Sequence, residues 1–109
     1  MALEKNHNVY VVELDPVVLK KEPRFLRENP HHDRNKACLY VGRTGLDPQE
    51  RFANHKKGYK ANRFVRRYGR RLRPHLYERY NPMTYEKAKQ REVVLAQQLR
   101  VEGHAVWQR

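Results

Sequence analysis

The chain has 109 residues and a formal net charge of +12, with 39% hydrophobic and 33% charged residues. This length provides one hydrophobic core, since a second would bury too little apolar surface to be stable on its own. No apolar run is long enough to cross a bilayer, so no membrane partner is expected, and residues 1–8 lack the apolar segment of a secretory signal. The single cysteine, Cys38, excludes an internal disulfide. Together these features favour the reducing cytoplasm.

The positive charge is concentrated between residues 51 and 77, where ten Lys or Arg residues occur and no Asp or Glu. Such a density of charge repels itself in the absence of a polyanion and is typical of a surface that contacts nucleic-acid phosphates. A merely solvated surface is the alternative. The residues expected to contact nucleic acid are Arg43, Lys56, Lys57, Lys60, Arg63, Arg66, Arg67, Arg70 and Arg71.

Two short strands are predicted in the first half of the chain. Residues 9–14 and 37–41 are rich in β-branched and aromatic residues, and Pro16 ends the first run because it cannot donate to a strand ladder. We expect the two strands to pair antiparallel. The segment 15–36 is rich in Pro, Asn, His and charge, and it is too long for a hairpin loop. It is therefore interpreted as an inserted loop with one helical turn near Phe25.

Three helices are predicted in the second half from a capping residue before each helix and a glycine after it. Gly69 is expected in the left-handed conformation. Residues 72–80 are ambiguous, since Pro74 permits only an edge strand or an extended segment, and residues 104–107 are predicted as a last strand. The helices are expected over residues 48–57, 63–68 and 85–102, with N-caps Asp47, Asn62 and Thr84 and terminal glycines Gly58, Gly69 and Gly103.

Glu92 lies on the apolar stripe of the last predicted helix. At about 100° per residue it projects near the centre of that stripe, between Ala88 and Leu95. An unpaired carboxylate buried there costs several kcal/mol, so Glu92 is expected to bind a cation, pair with a base or line a cleft. The alternative is a partly exposed Glu92 that pairs with Lys89, which would contribute a few tenths of a kcal/mol.

Four other polar residues carry little information singly. Arg51 and His55 are four residues apart and therefore share one face of their helix, although most such residues are simply exposed. Tyr10 and Tyr40 lie in the two predicted strands, where each phenol needs a hydrogen-bond partner if it is buried. Taken alone, the two tyrosines would be ordinary core aromatics.

The order of these residues resembles the motifs of the GIY-YIG nuclease family, with similarity from Val9 to Trp107. It implies a stand-alone, single-domain member: an α+β fold over residues 9–109 with a small three-stranded antiparallel sheet flanked by helices, after a flexible N-terminus at residues 1–8. Asn8 departs from the family, which usually has glycine there. The matching positions are Asn8-Val9-Tyr10, Tyr40-Val41-Gly42-Arg43-Thr44, Arg51, His55, Ala88 and Glu92.

The resemblance implies a metal-dependent endonuclease, a hydrolase that cleaves phosphodiester bonds of DNA, with RNA left open as a substrate. Tyr10 and Tyr40 would be paired active-site tyrosines, one of them the general base, with Tyr10 favoured. Arg51 would contact the scissile phosphate, and His55 would assist the tyrosines. Glu92 would hold one divalent metal, Mg²⁺ or Mn²⁺. A phenol that acts as a base at neutral pH needs a pKa lowered by nearby cations, for which Arg43, Arg51 and the metal are the candidates.

A catalytically inactive, basic nucleic-acid-binding module is the main alternative function, and a protein that coats structured RNA is a third. Neither explains why two phenols, an arginine, a histidine and a stripe-facing carboxylate occur in motif order. No base-reading helix is recognised in the sequence, and phosphate contacts carry no sequence information. A homodimer that cuts both strands, or a partner protein that supplies specificity, is left open.

Overall fold

The computed structural model describes residues 4–108, so the predicted N-terminal segment is described only from Glu4 onward, and residues 1–3 and 109 lie outside it. The strands are β1 (Asn8–Leu14), β2 (Cys38–Thr44), β3 (Gly69–Leu72) and β4 (Ala105–Gln108). The α-helices are α1 (Val18–Lys21), α2 (Pro23–Arg27), α3 (Pro48–Lys57), α4 (Arg63–Tyr68) and α5 (Tyr85–Val101), and 3₁₀ turns span Pro74–Leu76 and Glu78–Tyr80. Before β1, the backbone of His7 exchanges hydrogen bonds of 2.9 and 2.7 Å with that of Met83.

The strands described form one mixed sheet in the order β3-β1-β2-β4. β1 pairs antiparallel with both β2 and β3, whereas β4 runs parallel to β2. The α+β class is therefore confirmed, but the sheet has four strands and one parallel pairing where three antiparallel strands were expected. Parallel neighbours need a crossover connection, and the chain between β2 and β4, which includes α5, provides it.

Helices cover both faces of the sheet. Residues 9–12 of β1 are all buried, as expected of a strand covered on both sides. On one face, Trp107 packs against Phe25 of α2 and Phe64 of α4, with ring centroids 6.4 and 4.7 Å apart. Gln108, the next residue of β4, projects to the opposite face and hydrogen bonds to a side chain of α5. The sheet is thus the middle layer of three.

The helix boundaries follow the predicted capping residues. Asp47 and Asn62 accept hydrogen bonds from backbone N–H groups in the first turns of α3 and α4, and Gly58 ends α3 at φ 87°. The prediction of a left-handed conformation for Gly69 is wrong. This residue has φ −64° because the chain passes directly from α4 into β3, and a Cβ there would lie 2.4 Å from the carbonyl oxygen of Val65. No helix within residues 4–108 is long and apolar enough to cross a membrane.

The inserted segment contains two short helices, one more than the single turn expected. Phe25 is fully buried and places α2 against the sheet. Asn29 fixes the end of the segment to β4. Its side-chain amide donates to the carbonyl oxygens of Phe25 and Val106 at 2.8 and 3.1 Å, and its Oδ1 accepts from the Val106 N–H at 2.7 Å. The side chain of Asn29 thus makes the hydrogen bonds to the Val106 backbone that a neighbouring strand would otherwise make.

Replacing Asn29 by alanine should lower the free energy of unfolding by about 2–4 kcal/mol, because three buried hydrogen bonds of about 1 kcal/mol each are lost. The Val106 N–H also loses its acceptor. Urea denaturation measures the change. Asn35→Ala is the matched control, since Asn35 is exposed and its side chain makes no hydrogen bond to the described residues. It should stay within about 0.5 kcal/mol of the wild type. Equal losses in the two variants would contradict this interpretation.

Candidate active site

A cleft of about 320 Å³ opens where β1, β2, α3 and α5 meet. His55, one of the five predicted catalytic residues, lies fully buried behind Tyr10. A larger groove of about 800 Å³ lies beneath the inserted segment, and none of the five predicted catalytic residues lines it. Side chains far apart in the sequence therefore converge at the smaller cavity. Its walls are formed by the predicted residues Tyr10, Tyr40, Arg51 and Glu92, together with Arg43, Lys60, Ala61 and Asn62.

The two tyrosines lie side by side on adjacent strands. Antiparallel pairing sets Tyr10 opposite Gly42 and Tyr40 opposite Val12, so both phenols project from the same face of the sheet. Their ring centroids are 6.0 Å apart. A Cβ on Gly42 would lie 2.8 Å from Cζ and Oη of Tyr10 and 2.8 Å from Cε2 of Tyr40. Glycine is therefore required here for space.

His55 forms hydrogen bonds through both ring nitrogens. The backbone N–H of Asn62 donates to Nδ1 at 3.0 Å, and Nε2 lies 2.8 Å from Oη of Tyr10. Because Nδ1 accepts, the neutral ring carries its proton on Nε2 and donates it to the phenol oxygen. Burial, followed by the charge of Arg51, lowers the pKa of His55 to about 4. At neutral pH this residue is thus an uncharged donor that holds Tyr10 in place.

Burial raises the pKa of Tyr10 well above its ordinary value; Tyr40 raises it further and Arg51 lowers it. Arg51 therefore acts on this pKa in the expected direction, but burial and Tyr40 outweigh it, so the chain's own groups leave the pKa of Tyr10 raised. The other candidate, Arg43, is paired with the carboxylate of Glu92. Lowering this pKa toward neutrality requires further positive charge beside Tyr10, such as that of a bound metal ion.

Glu92 is fully buried and receives hydrogen bonds from two side chains. Nη1 of Arg43 lies 3.2 and 3.3 Å from the two carboxylate oxygens, and Nε2 of Gln108 donates to Oε1 at 2.7 Å. The burial expected from helical projection is confirmed, and the alternative of an exposed pair with Lys89 is wrong. Gln108 was missed by sequence reasoning, and no local signal points to it, because only the parallel register of β4 brings it to Glu92.

Arg51 is anchored at the rim of the cleft by the loop after α3. Its two Nη atoms donate to the carbonyl oxygens of Tyr59 at 3.4 Å and Lys60 at 2.9 Å. A guanidinium has five N–H donors in a rigid fork, so donors remain for an anion. The loop thus fixes the orientation of the charge without consuming it.

Of the described residues that line the cleft, Glu92 alone is acidic. No group of three or more His, Cys, Asp or Glu residues suited to a metal ion occurs within residues 4–108. Mg²⁺ is often held by one or two carboxylates, with waters and substrate phosphates as further ligands. The donor set fits such an ion provided that a phosphate completes it. Arg43 already contacts both carboxylate oxygens and would compete with the metal.

The basic stretch at residues 51–77 carries less unpaired positive charge in the fold than its sequence suggests. Carboxylates from β1 and the inserted segment pair with five of its arginines, and two of these carboxylates, Glu13 and Glu22, are largely buried. Lys57, Lys60 and Arg66 form no ion pair with any residue in the described range 4–108. The pairs are Glu13 with Arg71 and Arg73, Asp15 with Arg70, and Glu22 with Arg63 and Arg67.

Comparison with known proteins gives no relative from which a function could be assigned to the site. No protein-family model matches the chain, and no curated protein or solved structure is significantly similar to it. The likeness to the GIY-YIG nucleases therefore rests on the motif residues alone.

Gly42→Ala should lower the free energy of unfolding by about 1–3 kcal/mol, because the added methyl group displaces both tyrosines. Urea denaturation measures the loss. Gly45→Ala is the matched control, since a Cβ there would meet its nearest neighbour, His7, at an ordinary 3.5 Å. The control should change stability by less than about 0.5 kcal/mol. A Gly42→Ala variant as stable as the control would show that the tyrosines are not packed as described.

His55 should make stability depend on pH between about 6.5 and 4. Its pKa is about 4 in the folded chain against an ordinary 6.5, so the unfolded chain takes up a proton first as pH falls. Stability is fully present above pH 6.5 and is lost by up to about 3 kcal/mol as pH falls through 4.

Urea denaturation across this range tests the prediction, with the imidazole resonance of His55 followed by NMR. His55→Gln should flatten the pH dependence, although it also changes stability at neutral pH. Burial lowers the pKa of His104 as well, so His104→Gln is the control and should retain the part due to His55. A His55 resonance that titrates near pH 6.5 would refute the assignment of a neutral donor.

Proposed function

We propose that the chain is a metal-dependent endonuclease of the GIY-YIG type that hydrolyses phosphodiester bonds of DNA. The observation that carries the proposal is the convergence of Tyr10, Tyr40, Arg51 and Glu92 on one cleft. Cationic side chains, Arg43 and Lys60, also line it, which suits a phosphate. A surface that only binds nucleic acid gains little from two buried phenols and a buried carboxylate.

Arg51 would bind the scissile phosphate. Its guanidinium is held at the rim by two backbone carbonyl groups, so its remaining N–H donors are oriented before the substrate arrives. Charge on the nonbridging oxygens increases in the transition state, and a fixed donor fork stabilises that charge without reorganising. Lys60, on the same rim, adds a second positive charge.

Tyr10 is the favoured base, with Tyr40 beside it as the alternative. In hydrolysis the oxygen of water forms a bond to phosphorus while the bond from phosphorus to the leaving oxygen breaks. A Tyr10 phenolate would accept the proton of the attacking water, and a proton from solvent would go to the leaving oxygen. The Nε2–H of His55 would stabilise the phenolate through the hydrogen bond it already makes. A divalent metal held by Glu92 would supply Lewis acidity at the phosphoryl group and lower the pKa of nearby phenols.

The inactive nucleic-acid-binding module is supported by one specific observation. The carboxylate of Glu92 already accepts hydrogen bonds from Arg43 and Gln108, which would give it a purely structural purpose. In that case the charge of the cleft would bind phosphate and no bond would break.

Glu92→Gln should abolish cleavage of labelled duplex, branched or single-stranded DNA in Mg²⁺ while binding in EDTA persists. Arg51→Ala should reduce cleavage by about 10²–10³-fold, as is typical for the loss of one transition-state donor. Rates are compared with those of Lys89→Gln, an exposed position on the same helix, which should cleave like the wild type. RNA of the same sequence, tested in parallel, separates the two nucleic acids.

Circular dichroism and urea denaturation establish that each variant is folded. Arg51→Ala leaves the buried Glu92 pair intact, so it remains informative if Glu92→Gln is unstable. Undiminished cleavage by a folded Glu92→Gln variant would refute the metal site. Tight, salt-sensitive binding by the wild type without cleavage in Mg²⁺ or Mn²⁺ would favour the inactive module.

A further inference from the structure

A second basic groove, of about 580 Å³, lies beside the N-terminal half of α5 and away from the cleft. The second 3₁₀ turn and the segment that leads into α5 form its other walls. We call it the Tyr80 groove. Its walls include Lys5, Arg79, Tyr80, Lys87, Arg91 and the apolar Val94.

Two guanidinium groups lie against the ring of Tyr80. The Cζ atom of Arg79 is 4.7 Å from the ring centroid, and that of Arg91 is 4.3 Å from it. Nη2 of Arg79 also donates to the phenol oxygen at 2.9 Å. Cation–π contacts hold both positive charges on one aromatic side chain, which reduces the entropy lost when an anion binds. The groove is therefore organised before any ligand arrives.

Among the residues that the structure describes, no acidic side chain lines the Tyr80 groove. Within residues 4–108, none of Lys5, Arg79, Lys87 and Arg91 forms an ion pair. This differs from the stretch 63–73, where carboxylates pair with five arginines. Like charges gathered without counter-charges raise the energy of the free protein, and a polyanion relieves that repulsion.

The groove and the cleft lie on opposite flanks of α5. At about 100° per residue, Lys87 and Arg91 project well away from Tyr85, whose ring is 5.8 Å from the guanidinium of Arg43. Arg43 lines the cleft. The groove and the cleft thus lie on either side of one α-helix, and an α-helix with its side chains is about 10–12 Å wide. An element of that width fits the B-DNA major groove, which is about 12 Å wide and has a phosphate backbone on each side.

We propose that the Tyr80 groove binds the phosphate backbone of duplex DNA at a distance from the scissile phosphate. This inference rests on the proposed function, because it takes the cleft to hold one backbone while the Tyr80 groove holds the other. Arg79 and Arg91 contact phosphate oxygens, and Lys87 extends the same surface along α5.

The test uses the full chain with Arg79→Gln and Arg91→Gln combined. Binding of a labelled DNA duplex is measured in EDTA at a series of salt concentrations. Each lost phosphate contact reduces the slope of log K against log salt by about 0.9, so the slope should become shallower by about 2. Affinity at low salt should fall about tenfold or more. In Mg²⁺, the KM for cleavage should rise while kcat stays unchanged.

Lys21→Gln combined with Arg27→Gln is the matched control. Both residues are exposed on the inserted segment, and neither forms an ion pair with the described residues. This pair removes the same net charge away from the groove, so its salt slope should equal that of the wild type. Circular dichroism verifies the fold of both double variants.

Equal slopes for the two double variants would overturn the proposal. Loss of binding to anionic vesicles by the groove variant, with unchanged DNA binding, would overturn it as well. Because binding is measured in EDTA, the outcome does not depend on catalysis. A wild type that cleaves DNA, with variants that bind alike, would refute the groove and leave the nuclease intact. A wild type that never cleaves DNA, with a shallower salt slope for the groove variant, would refute the nuclease and support DNA binding by the groove.

Discussion

The buried hydrogen-bonded chain from the backbone of Asn62 through His55 to Tyr10 is the constraint on which the cleft depends. Asn62 caps α4 with its side chain and, through its own N–H, fixes the tautomer of a histidine on α3. That histidine in turn donates to a phenol on β1. One chain of contacts thus joins a helix start, a neighbouring helix and the sheet. Because His55 is uncharged at neutral pH, it can be buried without a counter-ion, and the phenol keeps its position.

The carboxylate of Glu92 is subject to two demands that conflict. A buried carboxylate needs partners, and Arg43 and Gln108 provide them by linking α5 to β2 and β4. The proposed metal needs the same oxygens. In the proposed function, a substrate phosphate would resolve this conflict, because it would offer Arg43 another anion and provide ligands to the cation. In the proposed function, metal affinity should therefore be low without substrate and should rise with it.

Local chemistry could be predicted from the sequence, and partners could not. Neighbouring residues in the sequence are enough to predict the caps at Asp47 and Asn62 and the burial of Glu92. Each of these features is observed. The ion pair of Glu92 with Arg43 joins residues that no periodicity relates. The same holds for the parallel pairing of β4, which depends on how the long connection crosses the sheet. Glu13 and Glu22 likewise lie outside residues 51–77, so the acid-free run gives no sign that the fold pairs them with its arginines.

The distribution of charge follows from this folding of acids onto bases. A net charge of +12 on 109 residues would destabilise the folded state if it were spread evenly. Instead, carboxylates from β1 and the inserted segment are paired with Arg63 and Arg67 of α4 and with the arginines of β3 and its C-terminal flank. Within residues 4–108, cations without such partners lie at the rim of the cleft and in the Tyr80 groove, and others, among them Lys21, Lys57 and Arg66, are exposed elsewhere. A polyanion that lies across α5 would therefore gain from both sites at once, whereas one that lies across α4 would first have to displace existing ion pairs.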